Sequence, residues 1–302
     1  MHISPRVVGY CCALTSAIIW AGNFLTARVI APDLTPFVTT LLRWIVASVI
    51  LLPFAWKQCT LDWPLIRKHL PYYVSLTTTG VFLMQITIYF GGHNTTAMNM
   101  GLIASTGPIW FALLARFILK EHITTFQIIG ICIAMLGTVL LITRGDLSLL
   151  FHMSFNIGDL SMLASSWVFA YYSITLRKKI DGVSSISALF TTFVMGIIMA
   201  APFAMWDFYH GATVPCTIEI ALSVLYIGCF ASIVAFFCWA RAIERIGPVQ
   251  SSLVNCGLPL FSALGGYFIL GEHIEMAQLL SGLLIIGGTI VAMLKSPSKK
   301  AA

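Results

Sequence analysis

The pattern of apolar and polar positions divides this chain into ten long apolar stretches joined by short polar links. Each stretch holds roughly 20 residues, which is the length that a helix needs to cross the hydrocarbon core of a bilayer. The pattern therefore predicts an all-α polytopic membrane protein. The ten predicted transmembrane helices cover residues 7–30, 36–54, 71–90, 97–119, 126–143, 157–176, 186–206, 219–240, 248–270 and 276–294. The longest links between them lie near 55–70, 144–156 and 207–218.

One segment of the chain occurs twice. Residues Phe117–Ile123 match Phe268–Ile274, 151 residues later, and the ungapped alignment gives nine identities in 23 positions. The duplication predicts two repeats, residues 1–146 and 157–302, of five helices each. Because an odd number of helices inverts the second copy, we expect inverted repeats that exchange conformations by alternating access.

Composition and charge agree with a chain that lies in the bilayer. Apolar residues make up 59% of the chain and charged residues 9%, against about 25% charged in ordinary soluble proteins. With a cytoplasmic N-terminus, 14 of the 17 Lys and Arg residues fall inside, and Arg28 and Arg144 fall outside. This positive-inside bias predicts that both termini are cytoplasmic. The net charge of +6 is then a topology signal rather than a nucleic-acid footprint.

Common motifs of enzyme chemistry do not occur in the sequence. There is no His-Glu-x-x-His, no paired-cysteine metal spacing, no Gly-x-Ser-x-Gly turn and no Gly-Lys dipeptide of a phosphate loop. The pairs Glu121-His122 and Glu272-His273 are expected on opposite membrane faces, where a family turn at a helix end explains them better than a shared metal. We therefore predict a protein that is not an enzyme and has no cofactor or metal.

Short motifs follow one another in an order typical of a known family. The first half contains Ala-Ile-Ile-Trp-Ala-Gly-Asn-Phe at 17–24, Leu-Arg-Trp at 42–44 and Ser-Thr-Gly-Pro at 105–108. The second half contains Gly-Asp-Leu at 158–160, Arg-Ala-Ile-Glu-Arg-Ile-Gly-Pro at 241–248 and Leu-Gly-Glu at 270–272. By order, spacing and duplication, each half resembles an EamA domain of the drug/metabolite transporter superfamily.

This resemblance implies ten helices and the movement of a small organic solute, often an amino acid or a related metabolite leaving the cell. We expect a secondary transporter in the bacterial cytoplasmic (inner) membrane. Its expected partners are the lipid bilayer and a small-molecule substrate, with no nucleic acid, and a homodimer is compatible with the sequence. Two alternatives stay open: a transporter of a sugar or nucleotide conjugate, and a non-transporting membrane sensor or assembly component.

Polar and aromatic side chains at membrane depth are the candidates for a solute pathway. Trp20 and Asn23 share one face of the first helix, and Trp167 and Tyr171 share one face of the sixth. Such residues either pack helices together or line a cavity. If the repeats are inverted, the two pairs should face each other near the bilayer midplane. By contrast, Trp56, Trp206 and Trp239 lie near the ends of predicted helices and are expected to be interfacial anchors.

Arg43 is the one Lys or Arg well inside a predicted helix, about 10 Å below its outer end by helical rise. It either pairs with a substrate carboxylate or is tied to carbonyls or a nearby acid. Asn255 is polar at similar depth, and Gln85, Tyr89, His93 and Asn99 cluster at outer helix ends, while Asp159 is expected to be a helix N-cap rather than a proton site. The candidate substrate-binding residues are Trp20, Asn23, Arg43, Tyr89, Trp167, Tyr171 and Asn255.

Overall fold

The computed structural model describes residues 4–95, 100, 103–104, 106–143, 145–146, 148, 156–258, 261 and 276–293. Within these residues the chain is helical and contains no strand. Its helices are α1 Pro5–Ile30, α2 Pro36–Lys68, α3 Leu70–Asn94, α4 Gly107–Ile118, α5 Thr125–Ile142, α6 Ile157–Arg177, α7 Ser185–Tyr209, α8 Ile218–Ile246, α9 Pro248–Asn255 and α10 Met276–Met293. The five helices α1, α2, α3, α7 and α8 are each long and apolar enough to cross a membrane.

Side chains of the preceding polar residues fix the starts of several helices. The hydroxyl groups of Thr35, Ser184 and Thr217 accept hydrogen bonds from backbone N–H groups at the starts of α2, α7 and α8. At α6 the cap is Asn156, and the Asp159 carboxylate accepts from the Asn156 backbone N–H at 2.7 Å in a reciprocal capping box. Asp159 therefore stabilises the helix start as expected, but from the third helical position rather than as the N-cap.

The second helix is longer than the sequence pattern predicts. The expected link near 55–70 is almost entirely helical, because α2 continues past Pro53 and Pro64 to Lys68. Exposed apolar side chains, among them Trp56 and Leu61, continue along this part of the helix. Asp62, the acid of this stretch, accepts a hydrogen bond from the Ser184 backbone N–H at 2.9 Å and so holds the start of α7 against α2.

The main helix pairs join one repeat to the other. Helix α1 packs against α8, α3 against α6, α2 against α7, and α5 against α10. At the α2–α7 interface the Trp44 and Phe193 rings stack with centroids 4.7 Å apart. At the α5–α10 interface Gly130 lies so close to Gly288 that any side chain at residue 130 would collide with it, as is typical of close-packed membrane helices. The two halves thus form one bundle.

Both repeats contain a short π-helical segment inside their third helix. The segments are Thr77–Leu83 in α3 and Cys229–Val234 in α8, and their first residues are 152 positions apart. In each segment a backbone carbonyl accepts a hydrogen bond from a Trp indole: Val81 from Trp44 at 2.9 Å and Ala231 from Trp20 at 3.1 Å. π-Helical turns inside α-helices are frequent at functional sites, and both segments lie next to the cavity described below.

Candidate solute-binding cavity

A cavity of about 80 Å³ lies between the two halves of the bundle. This volume holds several water-sized groups, so it suits a small solute. Its walls combine apolar and aromatic side chains with a few polar ones, as small-molecule sites commonly do. The lining residues come from α1, α2, α3, α4, α6 and α9 and include Trp20, Asn23, Arg43, Gln85, Met162, Ser165, Ser166, Phe169 and Asn255.

Arg43 is fully buried at one wall of the cavity, and its guanidinium is held from three helices. Nε donates to Ser232 Oγ at 2.7 Å, and Nη2 donates to the Ala231 carbonyl oxygen at 2.7 Å, both on α8. Nη1 donates to the side-chain oxygens of Asn23, Gln85 and Tyr89 at 3.0, 2.9 and 3.2 Å. These partners fix the plane of the guanidinium.

The electrostatic environment of Arg43 is unusual because its partners are neutral. Within the described residues no carboxylate forms an ion pair with it, so the nearby acid that the sequence allowed is not among its described partners. The rings of Trp44 and Phe236 lie 5.0 and 5.9 Å from the guanidinium carbon and stabilise the cation through their faces. Nη2 carries two hydrogens and has one acceptor among the described residues, so the guanidinium keeps its full positive charge beside the cavity.

Asn255 supplies an unused acceptor to the same cavity. Its side-chain oxygen is buried and has no hydrogen-bond partner among the described residues. Leaving a buried polar atom unpaired typically costs about 1–3 kcal/mol, and such atoms in folded proteins call for an explanation. A ligand with an N–H or O–H donor would satisfy this oxygen.

Trp20 belongs to a cluster of rings that closes one side of the cavity. Its indole N–H donates to the Ala231 carbonyl, and its ring contacts Phe169, Phe236 and Trp239 at centroid distances of 5.4, 5.8 and 5.3 Å. Trp239 is fully buried here, so its prediction as an interfacial anchor is wrong. The reason is that α8 continues to Ile246, which places Trp239 about two turns inside the helix. Trp56 and Trp206 are both largely exposed.

The structure does not bring Trp167 and Tyr171 to the cavity. Their rings stack on each other with centroids 5.9 Å apart, and Trp167 is 44% exposed on the outer surface of α6. The face of α6 that does line the cavity carries Met162, Ser165, Ser166 and Phe169. These residues follow the spacing of one helical face, and that face lies on the side away from Trp167. The expected opposition of Trp20 and Trp167 is therefore not observed.

Three of the remaining polar candidates, Gln85, Tyr89 and His93, lie on α3. The Tyr89 hydroxyl reaches Arg43, but its buried ring packs in an apolar cluster with α7 and α8 residues rather than on the cavity wall. His93 places Nε2 3.2 Å from the Leu34 carbonyl oxygen, and Asn99 lies outside the described residues. Gln85, expected at an outer helix end, lines the cavity itself. The sequence analysis did not predict Ser165, Ser166 and Phe169 as cavity residues. The sequence feature that could have indicated them is the run of small and apolar residues at helical spacing along α6.

Comparison with known proteins identifies the family. A family model described as the EamA-like transporter family matches residues 7–143 and 156–294. The chain belongs to the EamA-like transporter family. This EamA protein is thus an integral membrane protein of a transporter family, and the resemblance seen in its motifs is confirmed. The helical structure and the duplicated family domain also confirm the predicted fold class.

Individual relatives of this EamA protein match three quarters or more of its length at low identity. An uncharacterized transporter of Archaeoglobus fulgidus is 24% identical over 92% of this chain and 94% of its own. The uncharacterized transporter YyaM of Bacillus subtilis is 26% identical over 75% of this chain and 74% of its own. A probable terminal-alkyne amino-acid exporter of Streptantibioticus cattleyicolor is 23% identical over 91% and 90% of the two chains. A crystal structure with 18% identity has the same fold, with a TM-score of 0.73 over 95% of this chain and 96% of the other.

Proposed function

We propose that this EamA protein is a secondary transporter that exports amino acids or related small amphipathic metabolites across the bacterial inner membrane. In this proposal the two inverted repeats alternate in opening the central cavity to either side. The observation that carries the proposal is the pairing, beside one small cavity, of a buried cation that has no carboxylate among its described partners with a buried amide oxygen that has no partner among the described residues. The similarity to a probable amino-acid exporter supports the same class of solute.

A zwitterion fits the polarity of the cavity. Its carboxylate would be attracted by the Arg43 guanidinium at the cavity wall, and its ammonium would donate to Asn255 Oδ1. The apolar part of the solute would contact Trp20, Met162 and Phe169, which line the same space. Each such ring contact contributes on the order of 1 kcal/mol. Apolar walls with few oriented polar groups select for an amphipathic solute rather than a strongly hydrated one.

The other function classes fit the cavity less well. A sugar or nucleotide conjugate brings phosphate groups that call for several cations, whereas Arg43 is the one Lys or Arg among the described residues that line this cavity. A sensor or assembly component needs no solute-sized space between two duplicated halves. We place both termini in the cytoplasm, because this orientation puts most Lys and Arg residues inside.

Transport by the purified protein in liposomes tests the proposal. Vesicles loaded with an unlabelled amino acid should accumulate the same radiolabelled amino acid by exchange, across a panel of neutral, aromatic and charged amino acids. The proposal is supported if one or more of these amino acids exchanges at a higher rate than in protein-free vesicles. No exchange of any amino acid, together with exchange of a sugar phosphate, would favour the conjugate transporter instead.

The variant Asn255→Leu gives a sharper test because the two side chains have similar shape. Removing an unpaired buried oxygen should leave the melting temperature unchanged or raise it. Loss of the acceptor should weaken solute affinity by roughly tenfold, which is the value of a typical hydrogen bond to a charged group. Thermal unfolding and binding are measured on the same preparation, with Trp56→Leu on the exposed surface as control. Unchanged affinity in Asn255→Leu would remove Asn255 from the site.

A further inference from the structure

A second cavity, of about 90 Å³, lies on the other side of the ring cluster. Its walls come from the ends of α3, α6, α7 and α8 that the charge pattern places toward the cytoplasm. Lys179 and Glu244 stand on its wall, 3.7 Å apart and partly exposed, so the cavity presents charges of both signs. The other lining residues include Tyr72, Tyr73, Leu76, Tyr172, Arg177, Leu189 and Thr192.

The two cavities are separated by a layer of the bundle that includes the ring cluster around Trp20. On α6, Phe169 lines the first cavity and Tyr172 lines the second, a separation of about 4.5 Å along the helix axis. On α3, Met84 lines the first cavity and Leu76 lines the second, and the π-helical segment Thr77–Leu83 occupies the interval between them. To this layer α6 therefore contributes one turn and α3 contributes its irregular part.

Tyr172 fills this layer by lying against Gly80. A Cβ atom at residue 80 would fall 2.6 Å from Tyr172 Cγ and closer still to the next two ring atoms, so only glycine permits the observed position of the ring. The Tyr172 ring is stacked on Phe169 at 6.4 Å and contacts Phe236 at 6.0 Å. Gly80 thus provides a notch for Tyr172, at the centre of the π-helical segment.

We propose that the second cavity is the cytoplasmic half of the solute path and that Tyr172, seated against Gly80, is the gate between the two cavities. The inference rests on the proposed transport function and on the predicted orientation. In the described structure the Tyr172 ring is buried and lines the second cavity but not the first, as expected for a closed gate. Rotation of the ring away from the notch, together with a local rearrangement of Thr77–Leu83, would join the two cavities on the inner side. Interrupted helical hydrogen bonding makes a π-helical turn a suitable place for such a rearrangement.

The gate is tested by access of a thiol reagent to the first cavity. Cys256 lines the first cavity and is buried, so a full-length variant that retains Cys256 as its sole cysteine reports entry. A membrane-impermeant maleimide is applied to the face carrying the 177–184 loop. The rate of modification is compared for this parent, for Gly80→Ala, which expels the ring by overpacking, and for Tyr172→Ala, which removes the ring without a clash. Tyr209→Ala, which removes a ring that is largely exposed at the end of α7 and lines neither cavity, is the control.

We expect Gly80→Ala, through an overpacking penalty of ordinary size, to raise the modification rate from that face by roughly five- to tenfold. Tyr172→Ala, which removes the ring altogether, should raise it at least as much. Tyr209→Ala should match the parent. If Gly80→Ala does not fold, Tyr172→Ala alone decides the result. Rates equal to the parent in folded Tyr172→Ala protein would overturn the gate, whatever solute is transported. Faster modification without exchange of any amino acid would support the gate and contradict the proposed solute.

Discussion

At the scale of single residues, Arg43 shows how a charge can be buried without an opposite charge. Neutral oxygens from α1, α3 and α8 satisfy the guanidinium, and two aromatic faces lie nearby. Neutral partners leave the positive charge uncompensated, so the site keeps an attraction for an anionic group that an internal ion pair would cancel. The structural and the substrate-binding interpretations of Arg43 are therefore compatible.

The variant Arg43→Lys distinguishes a structural role of Arg43 from a role in substrate binding. Lysine keeps the charge but has one nitrogen in place of three, so Ser232, Ala231, Asn23 and Gln85 cannot all be satisfied. We expect the free energy of unfolding to fall by roughly 3 kcal/mol, measured by thermal or denaturant unfolding in detergent. Tyr89→Phe, which removes one of three acceptors of Nη1, should cost less than about 1 kcal/mol. A lysine variant as stable as the parent but defective in exchange would assign Arg43 to the solute alone.

Trp20 and Trp167 give a second prediction at the residue scale. The sequence predicts that both rings line the solute cavity, whereas in the structure Trp20 lines it and Trp167 is exposed. Trp20→Phe keeps an aromatic wall but loses the indole N–H that bonds Ala231, so solute affinity should fall several-fold. Trp167→Phe changes a ring on the outer surface of α6, and affinity should stay within about twofold of the parent. Binding measured on both variants checks this. Equal losses would restore the sequence prediction that both rings face the solute.

At the scale of helices, apolar length predicted where the helices are but not how each one is rotated. In a membrane helix the lipid-facing and protein-facing sides are both apolar, so hydrophobic periodicity carries little information about orientation. On α6 the sequence therefore indicated Trp167 and Tyr171 as cavity residues. In the structure Ser165, Ser166 and Phe169 form the cavity wall instead. The depth of Arg43 and Asn255 could be predicted because polar atoms at membrane depth stand out from their surroundings. The π-helical segments have no sequence signal that we recognise.

The start of α6 gives a prediction at the same scale. Asp159 binds the Asn156 backbone N–H and the Thr95 hydroxyl, which ties the α6 start to the segment after α3. Asp159→Asn should lower the free energy of unfolding by about 1 kcal/mol and leave the pH dependence of exchange unchanged. Exchange measured between pH 5 and pH 8 checks this. A flattened pH profile in the variant would show that Asp159 carries a proton during transport.

At the scale of the whole molecule, the duplication and the charge pattern together set the expected orientation. Labelling in intact cells with an impermeant maleimide tests it. Cys216, which is exposed in the link before α8, should react as the sole cysteine of a full-length variant. Asp181→Cys in a cysteine-free background should not react, since the positive-inside rule places its loop in the cytoplasm. Asp181 is preferred to Gly182, whose φ of +87° disfavours other residues. Reaction at residue 181 would contradict the ten-helix inverted topology.

The hydrogen bonds of Arg43 also have a consequence for the order of synthesis. Two of its acceptors, Ala231 and Ser232, are 188 and 189 residues later in the chain. The ribosome therefore synthesises Arg43 long before it synthesises the α8 groups that complete the hydrogen bonding of its guanidinium. Until then the charge needs water or another temporary partner, because an unsatisfied cation at membrane depth is expensive. Arg43 thus makes the first half dependent on the second, and a newly made chain can close its core only after α8 has entered the membrane.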